Sequence, residues 1–149
     1  MAKLDLIDHT LSSFAGILAD NDVIAATEEI QHVFRAKNQT RMLRTITLLD
    51  EDDQIQDIDL IFLNASGSVG AEDAAFSMTD AVARTVIGYV SIVIADYIDL
   101  ANQGFVYKTG LALPLKSVAD STSLYIAAVC RSGTPTYTAS GLKLRLGIE

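Results

Sequence analysis

The sequence predicts an all-β fold: a β-sandwich or jelly-roll-like domain with one short helix near residues 79–88 and an extended N-terminal segment. Three observations lead there. Apolar and polar residues alternate with period two in several runs, which means one face buried and one face wet. Half of the residues are hydrophobic, and many are Ile, Val, Leu and Thr, the types that fit pleated surfaces. Clusters of Gly, Ser, Asn and Asp break these runs at close spacing, as many short strands require. At 149 residues the chain is long enough for one domain with a real core.

The first forty residues admit two readings. Ile24, Thr27, Ile30 and Phe34 have fair helical spacing within 21–35. Alternatively, the Asp20–Asp22 turn leads into VIAATEEI as an extended segment. Residues 1–20 are expected to be an extended segment outside a single sandwich domain over 21–149. From Arg41 onward the period is that of strands. RTITLL sets Ile46 and Leu48 against Thr45 and Thr47, and IDLIFLN places Ile58, Leu60 and Phe62 on one face. LKLRLGI is the cleanest case, with Leu142, Leu144, Leu146 and Ile148 inward and Lys143 and Arg145 outward. YVSIVIA and SLYIAAVC are apolar on both faces and read as central or interface strands. FVYKTG and LALPLKS are shorter, and Pro114 confines the second to an edge or a bulge. In SMTDAVARTVIG, Thr79 is the N-cap, Asp80 sits in the first turn and Gly88 is the stop, which predicts two helical turns. RSGTPTYTASG reads as a long hairpin connection stiffened by Pro135.

Net charge is −8, with −3 over residues 1–40, −7 over 41–80 and +2 over 81–149. No clustered basic face appears, so no nucleic-acid partner is expected. The asymmetry suits contacts between copies or docking onto a charged partner. IVIA, among the longest apolar runs, is far too short to span a bilayer. MAKLDLIDHT carries acids early and has no long apolar h-region. The expectation is a soluble protein made in a cytoplasm, with no membrane partner.

Six carboxylates crowd the stretch LLDEDDQIQDIDLIFL. Asp50 and Asp52 could wrap a cation, but the Gly and the distal acid of a calcium-binding loop are missing. A catalytic carboxylate pair would need two distinct environments flanking a cleft. The plainer reading is a solvated connection between two strands, and no cofactor or metal is expected. Cys130, the one cysteine, sits in an apolar run and reads as a small hydrophobe. With no G-x-S-x-G, H-E-x-x-H, Walker loop or G-x-G-x-x-G, no enzyme is expected.

The spans LLDEDDQIQDIDLIFLNAS, EDAAFSMTDAVARTVIGYVSIVIADYIDL and RSGTPTYTASGLKLRLGIE resemble a family of small virion proteins of tailed bacteriophages and prophages. The likeness covers roughly residues 45–147 and extends weakly to NDVIA. AAFSMTDA and TPTYTASGLKLRLG carry most of it. It favours the strand reading of VIAATEEI. The resemblance implies a head decoration (cement) protein on the capsid exterior, bound to the major capsid protein, with no catalytic motif. Several such proteins are trimers of sandwiches, so a homo-oligomer, here a homotrimer, is expected. Alternatives are a tail, neck or baseplate protein, or a carbohydrate-binding sandwich using Tyr97, Tyr107, Tyr125 and Tyr137. A terminal segment bearing Leu4, Leu6, Ile7, Leu11 and Phe14 cannot form a core alone. These five are therefore the candidate capsid contacts, able to gain apolar burial across neighbouring subunits.

Overall fold

The computed structural model describes residues 3–149 and is a sandwich of two antiparallel sheets. Its strands are β1 (Asp5–Thr10), β2 (Gly16–Ile17), β3 (Val23–Ile30), β4 (Thr40–Asp50), β5 (Ile58–Leu63), β6 (Val86–Ile92), β7 (Tyr97–Asp99), β8 (Gly104–Lys108), β9 (Leu113–Lys116), β10 (Leu124–Cys130), β11 (Thr136–Tyr137) and β12 (Leu142–Ile148). One sheet runs β1-β12-β4-β8-β7, with β9 pairing the free end of β4, and the other runs β3-β10-β5-β6. A small β11-β2 ribbon lies between them in sequence and pairs Thr136 with Ile17.

The alternating strands fold as their patterns require. Ile46 and Leu48 of β4, Val106 of β8, and Leu142, Leu144, Leu146 and Ile148 of β12 point into one core. From the other sheet, Ile24, Ile58, Leu60, Phe62, Ile92, Leu124 and Ile126 meet them. Fully burying each such side chain contributes about 1.5–3 kcal/mol before ordering costs. β10 is central, between β3 and β5, and is buried on both faces. Ala127 and Val129 on its outer side join Val23, Ile61, Leu63 and Val69 in a second apolar cluster, packed by Phe76, Met78 and Val82. The connection from β5 to β6 thus straps across the outer face of the four-stranded sheet.

VIAATEEI is strand β3, paired along β10, as the resemblance favours, because Ile24 and Ile30 reach the shared core only in extended form. Three expectations need correction. The helix is a single turn, Asp80–Ala83, with the Thr79 hydroxyl accepting from Val82 N–H. Val86 and Gly88 instead register with Leu63 and Phe62 of β5, and the Thr85 hydroxyl turns back to the Val82 carbonyl at 2.7 Å. Gly88 is a packing position, since a Cβ there would collide with Leu113. β6 is an edge strand, not a central one, and the segment after β10 is no hairpin: it carries the chain from one sheet to the other.

The boundary expected after residue 20 is absent. β1 pairs β12 over its whole length, Asp5 with Ile148 through Thr10 with Lys143. Leu11 and Leu18 are core residues, and Leu18 N–H donates to the Pro135 carbonyl.

Candidate interaction surfaces and the acidic turn

The acidic stretch is a set of structural acceptors and not merely a wet connection. Asp50 is fully buried at the end of β4. Its Oδ1 accepts from Asp52 N–H at 3.0 Å, and its Oδ2 from Gln54 and Ile55 N–H at 2.8 and 2.9 Å. This grip holds Asp53 at φ 52° and Ile55 at φ 48°, a left-handed backbone that a β-branched residue adopts only under constraint. Asp52 accepts from Thr138 N–H at 2.8 Å and so anchors the β11–β12 connection. Asp57 caps Ile94 N–H at 2.7 Å. Asp59 receives Arg131 Nε at 2.8 Å and the Ser91 hydroxyl at 2.6 Å. Among the described residues, no three His, Cys, Asp or Glu side chains are grouped to hold a metal.

Ion pairs add to the β12 ladder in tying β1 to its neighbours. Asp5 accepts from Arg35 at 2.6 Å and Arg41 at 2.7 Å. Arg41 is buried, and its other donors reach the Val33 carbonyl at 2.7 Å and the Ile148 carbonyl at 2.9 Å. One guanidinium thus joins β1, β12 and the loop after β3. Asp8 pairs with Arg145 at 2.6 Å, and His9 Nε2 lies 2.9 Å from Glu28 Oε1.

The guanidiniums hold the Asp5 and Asp8 carboxyls below their ordinary value of 3.8. The stability these pairs contribute is therefore complete above 3.8 and lost as pH falls through the lower folded-state values. Asp50 has the opposite sign. Burial raises it, more than its backbone donors lower it, so its ionisation weighs against the fold as pH rises above 3.8. Acid should accordingly loosen the β1 edge first. Amide exchange in β1, relative to its intrinsic rate, should accelerate below pH 3.8 while β10 stays protected. Protection of β1 that persists until global unfolding would refute this.

Of the five candidate contacts, three belong to the chain's own interior. Leu11 is fully buried, and Ile7 and Phe14 pack against the same core. Leu4 and Leu6 remain open to solvent, at 46% and 62% exposure. The tyrosines do not share a face. Of the four proposed for sugar binding, Tyr137 is buried, Tyr97 donates its hydroxyl to the Gln56 carbonyl at 2.8 Å, Tyr125 packs in the second apolar cluster, and Tyr107 stands clear. Cys130 is buried, and burial pushes its thiol upward.

Sequence reasoning missed where the exposed apolar surface lies. Tyr89, Val93, Ile94, Ile98, Leu100 and Tyr107 are all exposed and fall within residues 89–107. YVSIVIA, which holds Tyr89, Val93 and Ile94, reads as a central or interface strand, and the sheet order places β6 and β7 at edges. Two concavities accompany them. A groove of about 510 Å³ opens on the four-stranded sheet between Ile61, Phe76, Met78, Val86 and Tyr89. At its polar end the Arg131 guanidinium lies 5.3 Å from the Phe76 ring centroid, a cation–π stack. A second hollow, about 290 Å³, lies on the outer face of the six-stranded sheet.

No protein-family model matches the chain, and no curated protein matches it. Among solved structures, a chain titled "Desmodium yellow mottle tymovirus" is similar at 10% identity with a TM-score of 0.32. The match covers 99% of this chain and 81% of that one. Superposition at that level assigns no function.

Proposed function

We propose that this protein is a structural component of a virus particle: a tailed-phage head decoration protein that binds the outside of the assembled major capsid lattice and stabilises it. The observation that carries this reading is the resemblance in AAFSMTDA and TPTYTASGLKLRLG. In the fold, the first belongs to the strap and helix over the four-stranded sheet, and the second forms β11 and β12. The chemistry of the surface supports the reading. The acids that could have served a reaction act as backbone acceptors and ion-pair partners, whereas large apolar side chains gather at sheet edges. Such side chains suit contact with other proteins better than turnover of a substrate. Leu4 and Leu6 stay as candidate capsid contacts, and Ile7, Leu11 and Phe14 are withdrawn from that role.

Purified protein added to preassembled shells that lack it should bind in hundreds of copies and raise the temperature at which the shells rupture. Shells that cannot assemble without it would overturn the reading. A few copies confined to the tail would favour the neck or baseplate alternative. The carbohydrate-binding alternative loses support because its tyrosines are dispersed.

A further inference from the structure

We infer that the outer face of the six-stranded sheet is a self-association surface, on which a second copy of this chain docks about a two-fold axis. This inference departs from the homotrimer that the resemblance implies, and its face includes Leu6, one of the candidate capsid contacts.

The register defines the face. Row by row it presents Thr10, Lys143, Leu49, Phe105 and Ile98, then Asp8, Arg145, Thr47 and Tyr107. Its two halves differ in shape. Over β7 and β8 the exposed side chains are apolar, with Ile98 and Tyr107 each 59% exposed. Over β1, β12 and β4 the face is hollowed by the depression of about 290 Å³, with Leu49 and Phe105 on its inner wall. A two-fold contact lays each half over the opposite half of its mate. Exposed apolar side chains on one half and a hollow on the other are a complementarity such a contact can use. The Tyr107 ring can then enter the mate's hollow, its hydroxyl facing the Arg145 and Asp8 side chains that line it. Tyrosine suits that position, with an apolar body for the wall and a polar tip for the charges.

Charge points to the same occupant. The chain carries −8 overall, which opposes contact between most pairs of identical surfaces. On this face the charges balance. Lys143 pairs with Glu51 at 2.8 Å at the rim, and Arg145 with Asp8 at 2.6 Å. Asp8 and Arg145 remain largely exposed, at 70% and 53% of their side chains, so the pair can exchange partners across a two-fold axis. The outer face of the other sheet offers no such balance, because the strap crossing it brings Glu72, Asp73 and Asp80.

Sedimentation equilibrium of the full chain tests this. The expected mass is twice that of the 16.0 kDa chain. Tyr107→Glu and Ile98→Asp should each weaken the dimer roughly tenfold or more, with circular dichroism and melting unchanged. Tyr89→Glu, an equally exposed change on the other sheet, should leave the dissociation constant as it was. Should a charged variant fail to fold, Tyr107→Ala reads the same contact. A monomer at the highest attainable concentration, a trimer, or a dimer insensitive to every change at Tyr107 and Ile98 would overturn the inference.

Discussion

Replacing Asp50 with Ala is expected to lower stability by about 3–4 kcal/mol, more than any other exchange in the acidic stretch. The substitution removes one buried carboxylate and orphans the backbone N–H groups of Asp52, Gln54 and Ile55. It also frees Ile55 from a left-handed conformation that its branched side chain disfavours. The turn would open, and Asp52 would lose its position against Thr138. Asp50→Asn makes the contrast. An amide has one acceptor oxygen where the carboxylate has two. Its best rotamer serves Gln54 and Ile55 and turns an NH2 toward the Asp52 N–H. It should therefore cost less than Ala, but still more than a surface change. Chemical denaturation of both variants checks the order, and an Asp50→Ala midpoint equal to wild type would show that the turn holds itself.

Removing residues 1–19 has the other large expected effect: loss of cooperative folding. A separable arm would leave the sandwich intact, but this segment supplies an edge strand, two core leucines and a counterion. Leu11 and Leu18 are fully enclosed, and emptying each site costs about 2–5 kcal/mol. Without Asp5 the buried Arg41 guanidinium loses its carboxylate partner, a change worth about 3–5 kcal/mol. Together these rival the whole stability of an ordinary domain, about 5–15 kcal/mol. Thermal unfolding by circular dichroism, with amide dispersion by NMR, decides the matter. A truncated chain that melts sharply within a few degrees of wild type would restore the separable arm.

The strands that sequence alone reveals are those whose burial follows from their own pattern. β12 alternates without exception, and Leu142, Leu144, Leu146 and Ile148 are indeed buried. β4 and β5 read equally well. The all-β sandwich follows from these three and from the turns between them. The misreadings share one cause, which is that a partner distant in sequence sets the outcome. β3 is open to either reading from its own spacing, and the ladder to β10 makes it a strand. The helix ended early because Val86 found Leu63. Asp50 looked solvated because its acceptor role depends on a loop that folds back over it. Leu11 and Phe14 looked adhesive because their contacts come from the core and not from local neighbours. Arg41 offered no signal at all: its three acceptors lie in three different segments.

The pairing of the first strand with the last has a consequence for how this chain is made. β12 lies between β1 and β4, so the larger sheet cannot close until Leu142–Ile148 have left the ribosome. At ordinary elongation rates β4 waits roughly 5–20 s for the partner that covers its edge. The edge of β4 that β12 covers, and the facing edge of β1, stay unpaired throughout that interval. Closure of the larger sheet is then governed by the slow pairing of distant strands. A nascent chain stalled before Leu142 should remain protease-sensitive across β1 and β4, whereas release of the full chain should protect both in one step.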